Sequence, residues 1–291
     1  MDSGRPRTML PAGASSIGRA IVLSCAIGCA HADDPSGVDA TPPEPSATLE
    51  CPAGIVVRAA RALHFAGDES LWEGQYRNAC RLDPAHRDHA IVALTYVAGE
   101  EKTGEPDESG TSSARDLDIV IMRTSDGSIV ARGHWDLDIQ DDAYRLESVA
   151  IDTGRYILGH DKRAFGIRTA NATHCTCTNN GWSGLTLFVE NEDRIDAILR
   201  THASRWQDES DGLDEPRPPC SLSSTEWHST LVVGQPGHHG LADLDEVSVE
   251  QAKYESDEAA AHCPALPPKK TVTTWRFDGH VYQALEPARS R

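Results

Sequence analysis

Asp152, Thr153 and Gly154 follow the apolar pair Ala150 and Ile151, the order in which an aspartic protease writes its catalytic loop. That chemistry needs two carboxylates sharing one proton, one activating water and the other protonating the substrate. The chain has no second Asp-Thr-Gly. A homodimeric enzyme manages with one copy, but it continues with a small residue where Arg155 stands here. Its apolar-apolar-Gly partner segment lies far downstream, whereas Ile157, Leu158 and Gly159 follow at once. Asp152 is therefore expected to be non-catalytic, in a strand-ending turn with Gly154 at positive φ.

Other groupings of reactive side chains are weaker. Ser183, within "GWSGL" at 181–185, nearly matches the Gly-x-Ser-x-Gly nucleophile elbow, but Leu185 replaces the last glycine and strand-turn-helix context is lacking. His174, Cys175, Cys177, Cys220, His262 and Cys263 would suffice for a tetrahedral zinc site. The one-residue gap between Cys175 and Cys177 is shorter than zinc knuckles use, so disulfides are the better expectation. His238, His239, Asp243 and Asp245 offer ligands in "GHHGLADLDE", yet adjacent histidines on a turn point apart. The acidic run "QDESDGLDEP" at 207–216 departs from the Asp-x-Asp-x-Asp-Gly spacing that wraps calcium. No catalytic residue, metal or cofactor is expected from these motifs.

The elements that would position any site begin after an export signal. Arg5, Arg7 and Arg19 precede the apolar run "AIVLSCAIGCA", too short to span a bilayer, and "AHA" ending at Ala32 gives a small-x-small cleavage site. Met9 is an alternative start. Cys29, closing "AIGC", is the lipidation candidate, since Cys25 leaves too short an apolar region after Arg19. Residues 1–32 are read as the signal, with cleavage after Ala32 or acylation of Cys29. Residues 33–50, "DDPSGVDATPPEPSATLE", then form a Pro/Asp/Ser/Thr tether that cannot pack. The expected location is the periplasm or outer membrane, with secretion as the further alternative.

Loss of residues 1–32 leaves 24 basic and 44 acidic residues, a net charge of −20. Nucleic acid is thereby a poor partner, a cationic protein a better one, and a membrane is reached only through a lipid anchor. The six remaining cysteines, Cys51, Cys80, Cys175, Cys177, Cys220 and Cys263, are expected to form disulfides. Cys51 and Cys80 bracket the segment with the weakest strand signal and are expected to pair. Cys175 and Cys177 would then take Cys220 and Cys263 in one order or the other.

From 51 to 291 the chain reads as one β-rich domain, with a possible subdomain boundary near 207–219. Strand-length runs such as "IVALTYV" (91–97), "LDIVIMR" (117–123), "YRLESVAI" (144–151) and "LTLFVE" (185–190) are separated by turn residues. "TSDGS" (124–128) and "FDGH" (277–280) are hairpin signals, and "ENEDR" (190–194) is a polar turn. Short helices are expected at most, within 63–80 and 248–263. The fold class is thus all-β, with antiparallel sheets in a β-sandwich or propeller-like arrangement.

The segments "IDTGRY", "RAFGIR", "HHGLADL" and "WRFDGHVY" resemble those of uncharacterised β-rich exported proteins and lipoproteins of Gram-negative bacteria. The resemblance covers about half of the mature chain and implies fold and export but no activity. The function expected is a non-enzymatic binding or structural module of the cell envelope. Its rivals are an inhibitor or immunity protein capping a cationic toxin or cell-wall hydrolase, and a metal-dependent hydrolase.

Overall fold

A computed structural model of the chain describes residues 50–65, 78–97, 115–137, 144–173, 180–208, 220–254 and 261–285. These residues are all-β, as the sequence predicts, apart from the helix α1 (Ile55–Ala62) and isolated single turns. Their strands are β1 (Ala79–Leu82), β2 (His89–Val97), β3 (Arg115–Arg123), β4 (Ile129–Asp136), β5 (Tyr144–Ile157) and β6 (Arg163–Thr173), then β7 (Asn180–Asn191), β8 (Arg194–Asp208), β9 (Leu222–Pro236), β10 (Ala242–Tyr254), β11 (Lys269–Phe277) and β12 (Tyr282–Ala284).

All twelve belong to one hydrogen-bonded sheet. β1 to β4 form an antiparallel meander, and β5 to β8 form another. A short parallel contact joins them, with Arg132 opposite Arg194, and the Arg132 amide donates to the Asp193 carbonyl. Gly133 permits that seam, because a Cβ there would meet the Ile195 carbonyl oxygen at 2.6 Å. β1 packs against β5 at the far side, so the two meanders face each other as walls of a rolled sheet. Between them lie Ile91, Leu117, Ile119, Leu146, Ile167, Phe165 and Phe188, all buried.

Strand periodicity sends alternate residues to opposite faces, so a strand buried throughout needs cover on both. β2 and β3 show this. Ile91, Leu117, Ile119 and Ile121 point inward, while Ala90, Val92, Leu94, Val120 and Met122 point out and pack under Ile55, Ala59 and Ala60 of α1. At the end of that outer face Asp118 is buried beside His134 Nδ1 at 3.0 Å and the Tyr96 hydroxyl at 3.4 Å. Burial, then the Asp118 and Asp116 carboxylates, raises the Tyr96 pKa, so its hydroxyl remains a donor.

The second wall is covered by the chain's own C-terminal half. β9 pairs with the last residues of β8, and β10, β11 and β12 continue from it. Leu185, Leu187, Ile198 and Leu199 on the outer wall pack with Leu241, Leu244 and Tyr282. Glu246, buried in this layer, accepts from the Thr201 hydroxyl at 2.8 Å and from Trp275 Nε1 at 2.9 Å.

The Asp-Gly hairpins form as read, with Gly127 and Gly279 at φ 73° and 109°. Other expectations need correction. A helix that the sequence did not single out lies at Ile55–Ala62, where Ile55, Ala59 and Ala60 make a one-turn apolar stripe; of the segment 63–80 where one was expected, residues 66–77 lie outside the described residues. Residues 248–254 are strand, their register fixed by β9 and β11. Asp152-Thr-Gly does not end a strand: β5 runs on to Ile157 with a bulge between Asp152 and Tyr156, and Gly154 is not at positive φ.

Cys51 pairs with Cys80, tying the segment that leads into α1 to β1. Cys220 pairs with Cys263, contrary to the expected pairing of each with Cys175 or Cys177. The cause is the β9–β10 hairpin, whose open end sets Leu222 opposite Tyr254 and so brings the flanking residues together. Cys175 and Cys177 lie outside the described residues, as do His174 and Cys29. Non-reducing peptide mapping should recover Cys51–Cys80 and Cys220–Cys263 peptides. With the first pair 29 positions apart in sequence, its removal should cost about 3–4 kcal/mol of unfolding free energy in the chain-entropy account.

Candidate functional site

The inward faces of β6 and β7 change character along their length. In β6 the inward series is Phe165, Ile167, Thr169 and Asn171; in β7, read backwards, it is Phe188, Thr186, Gly184 and Trp182. The register sets these directly opposite one another, Phe165 to Phe188 through to Asn171 with Trp182. The rolled sheet is therefore filled by aromatic and aliphatic side chains at one end and becomes polar and open toward the other.

That open end is a cavity of about 480 Å³. Phe188, Ile167 and Leu117 form its floor, with Trp135 and Trp182 as walls. Trp135 meets Phe188 edge-on with centroids 5.9 Å apart, and Trp182 meets Tyr144 at 4.4 Å. Both indoles are thus braced by a second ring while presenting surface to the hollow.

Two polar groups stand out in this lining, which also carries Thr169, Thr186, Thr201 and His202. Arg200 donates to the Leu137 carbonyl at 2.8 Å and lies 6.0 Å from the centre of the Trp135 ring. Asn171 is 2% exposed and its Oδ1 has no hydrogen-bond partner among the described residues. A buried acceptor left unmade is costly, about 1–3 kcal/mol. A ligand carrying a donor, or an ordered water, would satisfy it.

A second hollow of about 490 Å³ adjoins the first, sharing Trp182 and His202 and adding Arg205, Trp227 and Glu250. Trp135, Trp182 and Trp227 thus belong to one stretch of surface, in a chain with six tryptophans. Apolar walls with a few placed polar groups at the mouth of a rolled sheet are the usual form of a small-molecule site. None of these side chains was singled out from the sequence, although the shift from Phe and Ile to Thr, Asn and Trp at every second residue of β6 and β7 is legible there.

The motifs that were singled out serve the framework. Ser183 Oγ shares a hydrogen bond of 2.7 Å with Ser204 Oγ across the β7–β8 pair, in strand and not in an elbow. Asp243 pairs with Arg276 at 3.5 Å, and Asp245 accepts from the Thr274 hydroxyl at 2.7 Å, each a contact from β10 to β11. His239 is in a 3-10 turn at φ 54°, in the same turn as His238. His262 is exposed beside the disulfide-bonded Cys263, and of the acidic run only Gln207 and Asp208 are described.

Asp152 is the centre of a bulge-stabilising network. Its carboxylate accepts from the Gly154 amide at 2.8 Å, the Tyr156 hydroxyl at 2.9 Å and Arg168 Nε at 2.8 Å. Burial opposes its ionisation, but these donors and the Arg168 charge outweigh it and hold the carboxyl below the usual range. Tyr156 is pushed up to about 12 by burial and by that carboxylate. A depressed carboxyl pKa adds stability above the ordinary carboxylate range and loses it as pH falls from that range through the lowered pKa. Asp152→Asn should therefore lower stability by about 1–3 kcal/mol at neutral pH, with the gap to the parent narrowing in acid, as urea titrations at two pH values would show.

Compared with known protein families, curated proteins and solved structures, the chain matches none.

Proposed function

We propose that the protein is an exported, non-enzymatic binding protein whose ligand is a small amphiphile with a ring-shaped apolar body and an anionic or hydrogen-bonding head. One observation carries this reading: the sheet's interior opens into a hollow walled by Trp135 and Trp182, with Arg200 and the unpartnered Asn171 Oδ1 at the same place. The indoles supply flat contact area for the body. Asn171 Oδ1 calls for a donor, and the guanidinium favours an anion. In a chain of net charge −18, a cation held over a tryptophan inside the hollow sets local recognition apart from the acidic surface.

Two disulfides suggest an oxidising, non-cytoplasmic compartment. No described helix is long and apolar enough to cross a membrane. The signal at 1–32, the tether at 33–50 and the resemblance to Gram-negative envelope proteins extend this to the periplasm, or to the outer membrane if Cys29 is acylated. An inhibitor of a cationic partner would instead use the acidic exterior and lose affinity steeply with salt. The cavity favours the small-molecule reading.

Anilinonaphthalene sulfonate, a fused ring with a sulfonate, is a suitable probe, and energy transfer from tryptophan reports its binding. Saturable binding of one equivalent is expected. Trp135→Ala and Trp182→Ala should each weaken it about tenfold or more, consistent with loss of a buried aromatic contact, while Val272→Ser on the exposed face of β11 leaves it unchanged. Equal binding by the parent and both tryptophan variants would remove the cavity from consideration.

A further inference from the structure

Away from the tryptophan cavity, the connection between β1 and β2 reads "DPAHRDH", with Asp83, His86 and His89 three residues apart. One ligand atom from each lies within 4.8 Å of the others. We propose that Asp83, His86 and His89 form a binding site for a divalent first-row transition-metal ion, zinc foremost.

The turn is held by its own backbone. The Asp83 amide donates to the His89 carbonyl at 3.0 Å, and the His89 amide donates to the His86 carbonyl at 2.8 Å. Pro84 fixes its own φ between them. The Ala85 amide donates to Asp83 Oδ1 at 2.8 Å, which turns Oδ2 toward His86 Nδ1, 3.1 Å away. Two ligands of one tetrahedral ion, with bonds of about 2.0–2.1 Å, stand about 3.3–3.5 Å apart. Small side-chain rotations therefore bring the three atoms onto one ion.

His89 supplies the independent sign of an absent partner. Its Nδ1 is buried and has no hydrogen-bond partner among the described residues, while its Nε2 lies 4.0 Å from Asp88 Oδ2. At that distance the Asp88 carboxylate makes no hydrogen bond to the ring, but it is near enough to accept from Nε2 after a small rotation, the contact that commonly orients a metal-bound histidine. The environment is also graded as an accessible site requires: the side chains of Asp83 and His89 are 12% and 14% exposed, and that of His86 is 58% exposed.

The ligand set selects the ion. Two imidazoles and one carboxylate suit zinc and its first-row neighbours, whereas calcium and magnesium prefer all-oxygen shells. Three protein ligands leave at least one coordination position for water or another group. Asp83 and His86 line a cavity of about 530 Å³ together with Lys162 and Arg163, so an ion held there is reachable from solvent and from an anion in that cavity.

The test is zinc titration of the full, disulfide-intact chain after chelator treatment, followed by calorimetry, with cobalt as a spectroscopic substitute. The expected result is uptake of one zinc equivalent lost in His86→Ala and in His89→Gln, each lowering affinity about 100-fold or more, beyond the loss from removing a mere supporter of a ligand. Cobalt should give visible absorption that the same variants abolish. Because His86 is exposed, His86→Ala should melt like the parent without metal, which separates loss of a ligand from loss of fold. Failure of the parent to take up zinc overturns the proposal, as does an equivalent that survives in both variants.

Discussion

Phe188 is the side chain on which the rest of the arrangement turns. It is 2% exposed, stacked on Phe165 with centroids 5.8 Å apart and met edge-on by Trp135 at 5.9 Å. Phe165 and Phe188 come from the neighbouring strands β6 and β7, and Trp135 from β4 on the other wall. One cluster thus closes the rolled sheet from both sides. In a chain with four phenylalanines, spending two here leaves the remainder of the interior to aliphatic residues at one end and to an unfilled, tryptophan-walled hollow at the other. Truncating Phe188 in such a position removes packing worth about 3–5 kcal/mol, and would take the cavity floor with it.

Burial on both faces of the walls explains the apparently redundant parts. A rolled sheet whose outer residues were Val92, Leu94, Val120 and Met122 would expose a large apolar surface. Helix α1 covers it, and Cys51–Cys80 fixes the helix's approach. The other wall has no helix among the described residues. β9 to β12 fold back over it, and Cys220–Cys263 secures the hairpin that does so. Each disulfide lies at the attachment of a covering layer. This placement suits a chain that carries strong negative charge and must fold against its own repulsion.

The sequence made much of this readable and concealed the rest for physical reasons. The turns at Gly127 and Gly279 were legible because positive φ leaves a mark on residue choice. So was the Cys51–Cys80 pair, from its position around a weak segment. Asp152 drew attention in the sequence, but its bulge was not legible there, since the stabilising donors Arg168 and Tyr156 come from pairing register. The Cys220–Cys263 pair depended likewise on the β9–β10 register. Trp135 and Trp182 line the same cavity although far apart in the chain. Asp83, His86 and His89 lie close in sequence, but it is the turn that brings one ligand atom of each within 4.8 Å of the others.

On the proposed function, the open end of the rolled sheet, and not the acidic exterior, receives the ligand. Labelling the six tryptophans with 5-fluorotryptophan and following each ¹⁹F resonance during titration with an anionic ring compound tests it most directly. The account predicts saturable shifts for Trp135 and Trp182, a smaller one for Trp227, and none for Trp275 in the covering layer. Shifts confined to Trp275, or no shift at Trp135 and Trp182 under saturating ligand, would contradict it.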